Sequence, residues 1–214
     1  DLKDYIVHKQ SRFENELKLL YPMFKLHERV ALGNGQELDL YCEKLKLGIE
    51  FNGSYWHSQL AGTPVNYHIN KSKLAQEQGI RVIHIYEYEW NDPRRQAIIR
   101  SIINTAIGQN ITRYYARQCS LKSLSNKDLK KFLDNNHIQG HKNAKHAYGL
   151  FYNDELIQVM SFDNNRYNRN LKSETEWEIS RSCSKLNTVV VGGLSKLLMA
   201  FIRDVNPTRI FTYC

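Results

Sequence analysis

Within the run LGIEFNGSYWHS at residues 47–58, Glu50, Asn52 and His57 interrupt a stretch of strand formers, and Asp39 stands mid-strand in ELDLYC just upstream. Two carboxylates in apolar strands repel each other and lose hydration, so the arrangement is unfavourable unless something positive lies between them. A hard divalent cation meets that need: Mg²⁺, or Mn²⁺ in its stead, takes one or two carboxylates and completes its shell with water and substrate phosphate. With Asp39 and Glu50 as ligands, the chemistry indicated is metal-assisted hydrolysis of a phosphodiester. His57 follows Trp56, and its ordinary pKa lets it take a proton from water at neutral pH. A lone histidine beside a tryptophan is more often structural; the two carboxylates shift that balance. Glu14 could add a third carboxylate, and a helix-capping role fits its spacing equally well.

A phosphate-bearing partner also agrees with the charge. The chain of 214 residues has a formal net charge of +8, unevenly distributed. Residues 1–100 hold 14 Lys and Arg against 13 Asp and Glu, whereas residues 101–214 hold 16 against 9. Between Arg113 and Lys145 stand eight basic residues, Arg117, Lys130 and Lys131 among them, against Asp128 and Asp134 alone. Each Lys or Arg that neutralises a phosphate releases condensed counterions, so such a cluster suits DNA. A solvated helix face is the plainer alternative.

Four scattered cysteines with no CxxC pair, and no signal peptide, point to a reduced, intracellular protein. No stretch approaches the roughly 20 apolar residues of a membrane span, so no membrane partner is expected. Starting at Asp1 and ending on RIFTYC, the chain reads as a piece of a longer one.

The elements that must position these residues follow from periodicity. Phe13, Leu17 and Leu20 recur at helical spacing from Ser11, which forms a capping-box pattern with Glu14. ELDLYC and KLKLGIEF read as a hairpin joined at Glu43-Lys44. A helix from Asn66 to Gln78 stops at Gly79, and RVIHIYEYEW alternates as a third strand, carrying Glu87 and Glu89 as surface or structural groups. Pro93 opens a further helix to about Ile107, and GQN at 108–110 is the expected linker. The order predicts an α/β unit with one face of the sheet covered, over residues 1–108. A second α/β unit follows over 113–214: a helix capped by Ser125 or Asn126, strands AYGLFYN and ELIQVMSF around an Asn153-Asp154 turn, WEISRSCS, then VVVGG turning into a helix and RIFTYC.

Glu14, LD at 38–39, IEFNG at 49–53 and YWH at 55–57 together resemble the PD-(D/E)XK nuclease superfamily, nearest the very-short-patch-repair endonucleases and related homing endonucleases. In that branch a metal-holding aspartate precedes the histidine of a Trp-His pair by the separation of Asp39 and His57. The resemblance covers about residues 11–108 and implies a restriction-endonuclease-like mixed sheet, a Mg²⁺ or Mn²⁺ cofactor, DNA as substrate and a phage or homing setting. Two departures stand out. The lysine many members carry two residues after the acidic one is Asn52 here, which leaves water activation to His57 with Asn52 orienting water or phosphate. The next helix has His68, Lys71 and Lys73 in place of a further acid, either as phosphate contacts or as a replacement for the missing charge; a solvated helix face is the plain alternative.

Gly192-Gly193, between a strand-like run and a helix, exposes backbone N–H groups suited to phosphate. The turn and the strand order before it resemble the GNAT-type acyltransferase fold and phage DNA-modifying proteins of the Mom type, over about 114–214 and without the last strands of that fold. Acetyl-CoA is the cofactor this implies; use of the shape as a DNA-binding or target-selecting module is favoured over transfer, and a packing domain without a ligand is the third reading. His137, His141 and His146 match no common zinc spacing. The expectation is a metal-dependent DNA endonuclease with a GNAT-shaped second domain, with a homodimer left open. The rivals are a nucleic-acid-modifying acyltransferase and a silent DNA-binding protein.

Overall fold

Gly48 to Asn52 and Val82 to Tyr86 lie side by side in parallel register, Glu50 beside His84, and that pairing organises the first half of the protein. The computed structural model describes residues 2–29, 31–33, 35–53, 67–164 and 175–212. The chain divides into two compact units, Asp1–Gln96 and Ala97–Cys214. The expected linker at 108–110 therefore falls inside the second unit, and the division runs through the helix that Pro93 opens.

In the first unit, helix α1 (Leu2–Leu20) leads to strands β1 (Lys25–Glu28), β2 (Leu38–Cys42) and β3 (Leu47–Asn52), then helix α2 (Tyr67–Glu77), strand β4 (Arg81–Tyr86) and the helical turn α3 (Glu87–Trp90). The sheet order is β1-β2-β3-β4, antiparallel up to β3 and parallel between β3 and β4. A parallel pair needs a crossover, and α2 supplies its helix. A short 3₁₀ turn over Glu43–Leu45, closed by Lys46 at φ 46°, makes the β2–β3 hairpin.

Three expectations are corrected here. Helix α1 starts at Leu2, so Ser11 is mid-helix and forms no capping box with Glu14. The ten residues before Ser11 contain no Gly or Pro, and nothing in their propensities stops a helix from extending through them. The third strand ends at Tyr86, and EYEW turns helical: the Glu89 carboxylate accepts the Tyr86 backbone N–H, so Glu87 and Glu89 lie on a helical turn. Both faces of the sheet are covered rather than one. Successive strand residues point to opposite faces; Phe51 stacks on Phe13 of α1 at 4.3 Å between centroids, while Glu50 meets Lys71 of α2.

In the second unit, helix α4 (Pro93–Ile107) precedes β5 (Thr112–Tyr115), β6 (Ser120–Ser123), α5 (Asn126–Asn136), β7 (His146–Tyr152), β8 (Glu155–Asp163), β9 (Glu176–Ser184), β10 (Thr188–Val191), α6 (Gly193–Val205) and β11 (Arg209–Phe211). Ser125 caps α5, its Oγ accepting the Asp128 N–H. The main sheet runs β11-β9-β8-β7-β6, and β5 pairs separately with β10 in parallel. Leu129, Phe132 and Leu133 of α5 pack with Ala147 and Val159. Leu197 and Phe201 of α6 pack with Tyr148, Phe162 and Trp177, and the Phe162 and Phe201 rings lie face to face at 3.7 Å. Ala147 and Tyr148 are neighbours on β7, so α5 and α6 cover opposite faces of this sheet. The architecture is mixed α/β, as the order of elements predicts.

Candidate active site

Strand alternation and the β2–β3 hairpin bring Asp39 and Glu50 together. Asp39 is 8% exposed and Glu50 4%. Each carboxylate is tied to the other's strand: the Asp39 N–H donates to Glu50 Oε1 at 3.2 Å, and the Phe51 N–H donates to Asp39 Oδ2 at 2.7 Å. Such side-chain bonds to the neighbouring backbone hold both groups in place where the hairpin register is set. Lys71 reaches in from α2, donating to Glu50 Oε2 at 2.5 Å. Its exposure is only 5%, which makes Lys71–Glu50 a buried ion pair.

The electrostatics follow from this burial. Desolvation, then the Asp39 charge, push the Glu50 pKa up to about 7 against the pull of Lys71. Desolvation also raises Asp39, opposed by the Phe51 N–H and then by Lys71. Both acids are thus held where negative charge is under-compensated, the condition in which a cation binds best.

Around this pair stands a second layer of polar groups. Glu14, 3% exposed, meets His27 Nε2 at 3.2 Å, and His27 Nδ1 meets Glu37 at 2.6 Å. With a carboxylate at each ring nitrogen, His27 is set up as an imidazolium donating to both, and its pKa is raised, mainly by the Glu37 hydrogen bond. His27 does this from a left-handed backbone conformation, φ 53°. Asn52 Nδ2 lies 3.3 Å from His84 Nδ1, and His84 Nε2 lies 2.8 Å from Ser72 Oγ. A neutral His84 protonated at Nε2 satisfies both contacts, accepting from Asn52 and donating to Ser72. That ties the amide nitrogen of Asn52 to β4.

The expected site residues therefore divide. Glu14, Asp39, Glu50 and Asn52 all lie in the first unit, in three bonded groups: Asp39 with Glu50 and Lys71, Glu14 with His27 and Glu37, and Asn52 with His84 and Ser72. His57 lies outside the described residues, as do Tyr55 and Trp56. His68 falls in the first turn of α2, and Lys73 is exposed. Lys71 is not an exposed phosphate contact: it is buried and paired with Glu50. Its position was legible as one turn from buried Ala75 on the inward face of α2. His27 and His84 carried no signal in spacing, since β1 (KLHE) has no apolar alternation and the positive φ at His27 is a tertiary result.

In the second unit, Arg113, Arg117, Lys130 and Lys131 are exposed. Lys130 pairs with Asp134 at 2.7 Å on α5, and the Arg117 guanidinium lies 5.2 Å from the Tyr115 ring centroid. Gly192 caps α6 with φ 75°. A Cβ on Gly193 would fall 1.8 Å from Gln158 Oε1 and 3.0 Å from Val190 Cβ, so a larger residue there would have to displace the end of the Gln158 side chain.

Among the described residues, no three His, Cys, Asp or Glu side chains form a metal-binding group, and no helix is long and apolar enough to cross a membrane. Comparison with protein-family models, with curated proteins and with solved structures produced no match.

Proposed function

We propose that the first unit is a metal-dependent DNA endonuclease of the PD-(D/E)XK kind, hydrolysing phosphodiester bonds at Asp39 and Glu50. The observation that carries this reading is the buried triad of Asp39, Glu50 and Lys71: two carboxylates locked across a hairpin, with one ammonium on the outer oxygen of the second. The donor set fits Mg²⁺ or Mn²⁺, which accept two carboxylates and keep water in the remaining positions. A divalent ion held there would polarise the scissile phosphate and stabilise charge on the leaving oxygen.

The chain's own groups do the rest. Lys71 supplies the fixed positive charge that a lysine at position 52 gives related nucleases. Its bond to Glu50 Oε2 also orients that carboxylate. Glu14 and Glu37, bridged by His27, fix the edge of the sheet beside Asp39. Asn52, anchored on His84, presents its carbonyl end. His57 is assigned the proton of the attacking water. The exposed cations Arg113, Arg117, Lys130 and Lys131, with Lys73 and His68 of the first unit, supply salt-sensitive grip on the DNA backbone. A DNA substrate places the protein inside a cell, and a phage-infected bacterium or a homing element suits it; action as a homodimer belongs to the same reading.

The second unit is proposed as a DNA-gripping module. Acetyl-CoA binding at Gly192-Gly193 gains no support, since Gly193 has a packing reason against Gln158 and Gly192 a conformational one.

Incubation of supercoiled plasmid with the protein and Mg²⁺ or Mn²⁺ tests the assignment. Nicking that needs the metal and disappears in Asp39→Ala is expected. Nicking that persists in Asp39→Ala, or none with either metal, overturns it.

A further inference from the structure

A second feature of the first unit lies on the other side of β3 from the Glu50 carboxylate. A cavity of about 260 Å³ is lined by Arg12, Phe13 and Glu16 of α1, Phe51 of β3, Glu87 and Trp90 of α3, and by Asn91 and Gln96. Its floor is aromatic. Phe13 stacks on Phe51 at 4.3 Å with 28° between the planes, and Trp90 meets Phe13 edge-on at 5.0 Å. Phe13 and Trp90 are buried, whereas the Phe51 ring is half-buried and forms the accessible end of the stack. The rim is polar, lined by the exposed Arg12, the carboxylates Glu16 and Glu87 and the amides Asn91 and Gln96.

The cavity sits at the carboxyl ends of β3 and β4, where crevices of parallel pairs take ligands. Phe51 directly follows Glu50, and Glu87 directly follows β4. Its volume is below the roughly 300–1,000 Å³ of sites for drug-sized molecules and matches a smaller planar group. A flat aromatic end-face is what a nucleobase stacks on, and such stacking tolerates any base. The rim narrows the choice. An arginine pairs bidentately with O6 and N7 of guanine. A carboxylate accepts from two adjacent N–H donors, which guanine alone among the four DNA bases presents, at N1 and N2. Guanine is thus the base that satisfies a guanidinium on one edge and a carboxylate on the other.

We propose that this pocket takes one unpaired guanine of a nucleic-acid strand, stacked on Phe51 and read by Arg12 together with Glu16 or Glu87. The proposal rests on DNA being the ligand of the first unit. It does not depend on cleavage, because the pocket shares no side chain with the Asp39–Glu50 pair.

Saturation-transfer NMR with dGMP, dAMP, dCMP, TMP and dIMP, in chelator and without metal, tests it on the full chain. The expected result is binding of dGMP about tenfold tighter than the other three DNA nucleotides, with saturation strongest at the base proton H8. Loss of the N2 amino group in dIMP weakens binding. Arg12→Ala, a surface substitution, removes the preference, and Phe51→Ala weakens all nucleotides; melting temperatures of both variants establish that they fold. Because the preference is read in chelator and nicking only with Mg²⁺ or Mn²⁺, failure of the nuclease reading and failure of this one are separable. Equal binding of all nucleotides through phosphate, no binding, or an unchanged preference in folded Arg12→Ala overturns the proposal.

Discussion

Glu50 and Phe162 lie equally deep, each on an interior strand of its sheet, yet their surroundings are opposite. Beside Glu50 the first unit places two further ionisable groups, Asp39 and Lys71, each less than a tenth exposed. Around Phe162 the second unit collects rings: Phe201 stacked at 3.7 Å, with Trp177 and Tyr148 edge-on to Phe201. Cations of the second unit, such as Lys130 and Lys131, remain at its surface. A buried ion pair adds little net stability compared with packed apolar groups. A fold that buries several charges in one place is therefore disposed toward chemistry there, and one that buries rings is disposed toward rigidity.

The contrast can be broken most directly by Asp39→Ala. If the charged cluster is catalytic, this variant loses about ten-thousandfold in plasmid nicking, a little over 5 kcal/mol of barrier by roughly 1.36 kcal/mol per decade. The urea unfolding of the second unit should be unchanged. Loss of stability in place of activity would make the first unit's charges structural.

Phe201→Ala probes the other side. Removing a ring that is 0% exposed should cost about 3–5 kcal/mol of unfolding free energy by denaturant titration, the range for deleted core aromatics. A cost below about 1 kcal/mol would mean that the stacked rings do not carry that core.

Lys71→Met sharpens the comparison through pH. Glu50 has its folded pKa raised from 4.5 to about 7, so its stabilising contribution is complete below about 4.5 and is lost as pH rises through about 7. Lys71 pulls that pKa down; without it, the pKa rises further. At pH 6 Glu50 then carries a proton and the substitution costs little. At pH 8.5 Glu50 must either keep its proton or ionise without its ammonium partner, and the cost grows by up to about 2 kcal/mol, roughly 1.36 kcal/mol for each pH unit above about 7. Unfolding titrations at the two pH values check this, and a pH-independent cost would deny the coupling.

The smallest effect is expected from Lys130→Ala with Lys131→Ala. If both touch phosphate, the slope of log affinity for duplex DNA against log salt falls by about 0.9 for each phosphate that is no longer neutralised. An unchanged slope would return α5 to the status of a solvated face.

Much of the fold was legible. Helix α4 begins at Pro93 and α5 at the Ser125 cap because local sterics and capping decide those points within a few residues. The Asn153-Asp154 turn forms with both residues at positive φ, as these side chains permit. Other elements were hidden. The KLHE strand β1 has no apolar alternation and exists through pairing with β2. EYEW continues the alternation of RVIHIY but turns helical, because Glu89 bonds back to the Tyr86 N–H and Trp90 packs on Phe13. The Ser11–Glu14 pattern failed as a helix start because a capping signature carries meaning only where the preceding residues break the helix.

For the candidate site, residue types and strand periodicity alone placed Asp39 and Glu50 on adjacent strands, since a period of two and a short turn leave few registers. Periodicity has no reach beyond its own element. That Lys71 lies against Glu50, that His27 bridges Glu14 and Glu37, and that Asn52 rests on His84 were decided by how α1, α2 and β4 pack on the sheet. Those contacts join residues far apart in the chain, and which of them form depends on the shape of the whole unit.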